Sequence, residues 1–297
     1  MNHKYTKFAY KFFYKEETIV YLKKVQAEAK MQEYTREMEL QELSARTINK
    51  YLFDIRQWLG EMNGDIISKE AVIIYKSKLS KQYKVASVNS KIISVNRYLK
   101  WLGFKELVVN TERIQMSNVL DKIITKESYF TMLNYAKSTG KVKLYYIMKT
   151  IAKTGLRVGE LKFVTVTAIE NGYTQIWNKG KYRYIYFSEH LCAELLQYCN
   201  QVGIGEGIVF AGRTEDKAIS STAVWKGLKN IAKELGIPEE TVFPHSFRHL
   251  FAKNYMEKVG DITELADILG HSRLETTWIY TKTTSAEKRK RLGLIDL

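Results

Sequence analysis

The apolar positions of the first half recur at helical spacing. In "SARTINKYLFDIRQWLG", Ile48, Tyr51, Leu52, Ile55, Trp58 and Leu59 fall on one face, and Ser44 stands where an N-cap accepts from a free amide. "SVNSKIISVNRYLKWLG" repeats the pattern with Val88, Ile92, Val95, Leu99 and Leu102, with a cap expected at Ser87 and a stop at Gly103. The prolines are Pro238 and Pro244, so none interrupts these helices. Further on, the spacing predicts helices over about 126–139 and 142–154, then a strand-rich patch. There "FVTVTAI" and "YTQIW" flank Asn171-Gly172, a hairpin signal, and a second turn at "NKGK" leads into the alternating "YRYIYF". Helical spacing returns over about 188–202, 220–236, 246–258, 263–269 and 274–281.

These elements divide the chain into four parts. Residues 1–32 form an extension with one helix from Glu16 onward, and 33–104 an all-helical domain. Residues 105–124, where the periodicity lapses, are the expected linker. Residues 125–297 form a mostly helical domain with a small antiparallel sheet. The fold class is therefore mainly α in two domains, the second mixed α/β. A composition of 45% hydrophobic and 27% charged residues is that of a globular chain.

Charge changes the picture. The net charge of +15 favours a polyanion, most simply nucleic acid. Between Asp65 and Lys105 nine basic residues face two acids, and Lys84, Lys91, Arg97 and Lys100 are the candidate phosphate contacts. An anionic membrane is the other partner for such a field. The apolar stripes, however, read as core faces, and no stretch is long enough to span a bilayer. "MNHKYTKFAYKFFYKEE" is broken by Lys11 and Lys15 and does not read as a signal peptide. Cys192 and Cys199 lie two helical turns apart, about 10 Å, too far for a disulfide. They lack companion ligands for a metal, so reduced core thiols of a cytoplasmic protein are expected.

The candidate chemistry lies in the second half. "TGLRVGEL" puts Arg157 at a helix start, and Lys179 stands on the "NKGK" turn. In "PHSFRHLFA", His245 and Arg248 are three apart and share a helix face. His271 follows Gly270 in "LGHS", and Tyr280 follows nine residues later in "IYTK". Two arginines can grip a phosphate and neutralise its transition state. A tyrosine can attack it, and a lysine or histidine can protonate the departing hydroxyl. No carboxylate cluster or His/Cys run suggests a metal or another cofactor. Each residue also has an ordinary reading. Tyr280 is one of 20 tyrosines, Arg157 could simply pair with Glu160, and His249, about 100° from Arg248 on the helix, reads as a buried, hydrogen-bonded histidine.

"TGLRVGEL", "PHSFRHLFA", "LGHS" and "IYTK", in that order, resemble the tyrosine recombinase (phage integrase) family, closely over about 125–285. Residues 33–104 resemble, more loosely, its helical, SAM-like core-binding domain. The resemblance implies that Arg157 and Arg248 clamp the scissile phosphate and that Tyr280 attacks it. A 3′-phosphotyrosyl link and a free 5′-hydroxyl result, with no metal or ATP. It implies Lys179 as general acid, His245 in proton transfer, His271 on the phosphate and Glu160 as support. Asn178 stands where the family often has glycine, Lys181 rivals Lys179, and Lys253 replaces a small residue. The implied partner is double-stranded DNA with inverted half-sites, bound by dimers that assemble into a tetramer and pass through a Holliday junction, in the nucleoid of a bacterium or a mobile element. The tail after Tyr280, with Leu292, Leu294, Ile295 and Leu297, is expected to dock on a neighbouring protomer. Two other readings stay open: a DNA-binding regulator that does not cut, and a telomere-resolving or type IB topoisomerase-like enzyme.

Overall fold

The computed structural model describes residues 22–62, 64–113, 123–178, 181–271, 274–280 and Gly293. The chain divides into two compact units, 1–115 and 116–297.

In the first unit, β1 (Leu22–Lys23) pairs antiparallel with β2 (Ile66–Ile67). Its helices are α1 (Lys24–Ala29), α2 (Met31–Leu40), α3 (Ala45–Glu61), α4 (Lys69–Gln82) and α5 (Val85–Trp101). Ser44 caps α3 as expected, accepting from the Thr47 amide. Helix α5 starts two residues before the expected cap: the Ser87 amide already bonds to the Lys84 carbonyl, so Ser87 lies inside the first turn. Trp58, Ile55, Ile92, Val95 and Leu99 of α3 and α5 form the core, beside a Tyr34–Tyr98–Trp101 ring cluster. Leu22 and Ala27, expected in an extension, are buried in this same core, and the Tyr98 hydroxyl donates to the Ala27 carbonyl.

Residues 105–113, expected as linker, also pack here. Leu107 and Val109 are buried. The Asn96 amide brackets the backbone of Val109, and that of Asn89 the backbone of Glu112. Periodicity lapses because side-chain amides hold this segment, not a helical face.

The second unit contains α6 (Lys126–Ser138), α7 (Val142–Thr154), a 3-10 segment (Val158–Phe163) and α8 (Val166–Glu170). The hairpin β3 (Tyr173–Asn178) and β4 (Lys181–Tyr186) follows, then α9 (Glu189–Val202), α10 (Ser221–Glu234), α11 (Pro244–Lys258) and α12 (Ile262–Leu269). The expected strand "FVTVTAI" is not one. Thr165 caps α8 by accepting from Ala168, and the pairing there is an isolated bridge from Thr165 to Ile208. Asn171-Gly172 ends this helix, and the hairpin turn is the "NKGK" one. The β-branched run is overridden because Val166 and Ile169 bury on one face of α8, with Val164 buried just before it. Of the helix expected over 274–281, the described residues 274–280 instead form two 3-10 turns, Leu274–Thr276 and Trp278–Tyr280.

The hairpin alternates strictly. Ile176, Arg183 and Ile185 point inward, while Tyr173, Trp177, Tyr182, Tyr184 and Tyr186 line the exposed face. Cys192 and Cys199 are free thiols. Among the described residues no helix is long and apolar enough to cross a membrane.

Candidate active site

Four elements of the second unit converge on one cluster of charge. Helix α7 ends at Gly155, whose φ of 66° turns the chain into the 3-10 segment. A Cβ at Gly155 would lie 2.5 Å from the Phe251 ring, so α7 and α11 approach this closely only through glycine. Arg157 opens the 3-10 segment. Its amide donates to Glu160 Oε2 at 2.7 Å, its Nη1 to Glu160 Oε1 at 3.0 Å and its Nη2 to the Gly270 carbonyl at 3.3 Å.

Arg248, on α11, is 3% exposed. It donates to the carbonyls of Gly155 and Leu269, tying the end of α7 to the end of α12. Its Nη2 also lies 3.2 Å from His271 Nε2. A guanidinium can only donate, so Nε2 must accept and the proton of His271 sits on Nδ1, which donates to Thr277 Oγ1 at 2.8 Å. Burial, then the charges of Arg248, Arg157 and Arg183, push this imidazole down to about 4, in keeping with a neutral ring. Both His271 nitrogens are thus engaged within the protein.

Arg183 completes the cluster. From the inner face of β4 it reaches Glu160 Oε2 and the Ile268 carbonyl. Sequence reasoning passed it over, although an arginine sharing the inward parity of Ile185 in "YRYIY" was a signal that a buried acid awaited it. Two guanidiniums, Arg157 and Arg183, therefore pair with one buried carboxylate, Glu160, and a third, Arg248, lies within reach of their charges. The cluster carries two positive charges in excess. Burial, then Arg157 and Arg183, push Arg248 down to about 9, still charged at neutral pH. The arrangement suits a phosphate, whose oxygens would supply the missing charge.

Tyr280 is 6% exposed on the last 3-10 turn, packed with Ala252, Leu265 and Leu269. Its amide donates to the Thr277 carbonyl, so Thr277 links His271 to the turn that carries the tyrosine. Thr277 and His249 are the other residues the sequence did not mark as functional. His249 Nδ1 lies 2.5 Å from the Tyr280 hydroxyl. His245 is exposed at the start of α11, and partial desolvation, then Arg248 and Arg157, hold it below its usual value. Lys179 lies outside the described residues, as do the tail residues Leu292, Leu294, Ile295 and Leu297; of the rival, Lys181, only the backbone is described. Among the described residues no group of three or more His, Cys, Asp or Glu could hold a metal ion.

Of the four basic candidates in the first unit, Lys84 and Lys100 are exposed. Lys91 is 13% exposed and tied inward: its Nζ donates to Gln57 at 2.6 Å, lies 3.6 Å from the buried Asp54 and covers the rings of Phe53 and Tyr83. Arg97 donates to Gln41 and covers Tyr51.

The chain is similar to known proteins along most of its length. The model of the phage integrase family matches residues 122–287. A tyrosine recombinase XerA of Pyrococcus furiosus is 27% identical over 273 residues, covering 90% of this chain and 94% of that protein. A tyrosine recombinase XerD of Halalkalibacterium halodurans is 25% identical, covering 83% of this chain and 90% of its own. Among solved structures, a lambda integrase dimer bound to a COC′ core site matches with a TM-score of 0.70 at 17% identity, over 87% of this chain and 96% of that one. The Tn1549 transposon integrase in complex with transposon right end DNA matches with a TM-score of 0.68 at 14% identity, over 92% and 99%. At these identities the structures share the fold.

Proposed function

The chain belongs to the phage integrase family, and on that premise we propose that it recombines DNA at specific sites through a covalent tyrosyl intermediate. It is a site-specific recombinase whose partners are double-stranded DNA and further copies of itself. The observation that carries the chemistry is the three-arginine cluster around Glu160, joined through His271 and Thr277 to the turn of Tyr280. The scissile phosphate takes the uncompensated charge of Arg157 and Arg248. Tyr280 Oη attacks phosphorus as the bond to the 5′-oxygen breaks, leaving a 3′-phosphotyrosine and a 5′-hydroxyl. The phenolic proton passes to solvent or to His245, which is neutral and exposed. Lys179 supplies the proton to the departing oxygen, with Lys181 as its rival. His271 holds Arg248 from behind; a direct bond to the phosphate would require it to release Arg248 or Thr277. The 5′-hydroxyl of a partner strand then attacks the phosphotyrosine and restores the phosphodiester, so bond energy is kept without ATP. Two such rounds in a tetramer, through a Holliday junction, exchange both strands. The inverted half-sites would each take one protomer, and such DNA places the protein at the nucleoid.

A nicked suicide duplex that loses its 5′-hydroxyl fragment tests this. Wild type should accumulate a covalent adduct at Tyr280, Tyr280→Phe should bind but form none, and EDTA should change nothing. An adduct on another tyrosine, or cleavage that stops with EDTA and returns with Mg²⁺, would overturn the reading. An intact duplex bound without any cleavage would favour a regulator instead.

A further inference from the structure

Beyond that reading, and resting on it, we propose that His249 is the positioning residue for Tyr280: its Nδ1 takes the hydrogen bond of the phenol and fixes the nucleophile beside the arginine clamp. His249 follows Arg248 directly on α11, so the helix rotation of about 100° aims the two side chains differently. Arg248 faces the carbonyls of Gly155 and Leu269, while His249 faces the Trp278–Tyr280 turn. The contact is 2.5 Å from Nδ1 to Oη, with ring centroids 5.4 Å apart.

Both groups are neutral. Burial, then His245 and Arg248, push the His249 ring down to about 4, so it is neutral and one nitrogen must accept. Burial holds the Tyr280 phenol at about 12, with Arg248 and Arg157 pulling it the other way. At rest the phenol keeps its proton and, with the imidazole proton assigned to Nε2, donates it to Nδ1. The imidazole orients the nucleophile and does not deprotonate it. The oxygen keeps its lone pairs for phosphorus, and the ring is fixed about its side-chain bonds. Packing on Leu265 and Leu269 alone leaves the hydroxyl direction free. Misplacing a reacting atom by about 1 Å can cost on the order of 100-fold in rate.

The test compares single-turnover cleavage of the suicide duplex, and affinity for the intact duplex, in wild type, His249→Leu, His249→Asn and His249→Gln. The asparagine oxygen lies close to the place of Nδ1, whereas the glutamine amide reaches toward Nε2. We expect His249→Leu to cleave on the order of 100-fold more slowly with affinity within about twofold. His249→Asn should recover to within about tenfold of wild type, and His249→Gln should not recover. Equal or faster cleavage by His249→Leu, a loss explained by affinity, or no recovery in His249→Asn would overturn the proposal. If His249→Leu does not fold, the asparagine-against-glutamine comparison decides in the same way. A wild-type adduct away from Tyr280 would remove the recombinase reading itself. An adduct at Tyr280 with His249→Leu unimpaired would remove this proposal alone.

Discussion

Glu160 carries the negative charge against which Arg157 and Arg183 are set. Removing one partner of a buried ion pair strands the other, at about 3 kcal/mol. Glu160→Gln should lower the unfolding free energy of the DNA-free protein by about that amount in urea titration; a loss under about 1 kcal/mol would mean that solvent already screens the cluster. The histidines give a pH signature. His249 and His271 sit at about 4, against an ordinary 6.5. As pH falls below 6.5 the unfolded chain takes up these protons, while the folded protein does so only near 4. The stability they confer is complete above pH 6.5 and is lost between there and pH 4. The loss should reach about 2 kcal/mol per histidine by pH 5. His271→Asn should flatten the drop between pH 7 and pH 5 by its share, and an unchanged drop would exclude the neutral ring. Arg157, Arg248, His271 and Tyr280 were legible because each lies in a short local motif. Arg183 and Thr277 were not, because their partners stand 23 and 6 residues away and meet them only after the chain has closed.

At the level of elements, the site is a junction of the β3–β4 hairpin with the ends of α7 and α12. Arg183 is the bolt between hairpin and clamp, and Gly270 makes room for it. Gly270 has a φ of 62°, and a Cβ there would stand 2.4 Å from Arg183 Cδ. Gly270→Ala should cost about 1–3 kcal/mol of stability and, by dislodging Arg183 from Glu160, slow cleavage more than it weakens DNA binding. Equal losses in cleavage and binding would show that Arg183 serves only the packing. Helices α3, α6, α7 and α9 were readable from apolar spacing, because their faces bury against one core each. The stretch around Val164–Ile169 was not: its β-branched residues favour a strand, and only the tertiary packing at Val166 and Ile169 makes it a helix.

Across the whole molecule, the charge of +15 is a property of composition, legible at once, but which cations remain free for DNA is not. Asp54 decides part of it. This buried acid in α3 accepts from Ser94 at 2.7 Å, pairs with Lys50 at 2.7 Å and draws Lys91 inward. Replacing exposed Lys84 and Lys100 by alanine should therefore flatten the slope of log K against log salt by about one unit for each phosphate left without its lysine. Lys91→Ala should leave the slope unchanged and lower stability instead; a flattened slope for Lys91→Ala would mean that DNA pulls it free of Asp54. The three-arginine cluster has a different consequence, one of ion identity. Chloride screens surface lysines in proportion to its concentration, but sulfate and phosphate match the hydrogen-bond geometry of a guanidinium and occupy the place of the scissile group. At equal ionic strength, cleavage in sulfate should be slower than in chloride, and turnover measured in different buffers will describe different enzymes unless the anion is held the same.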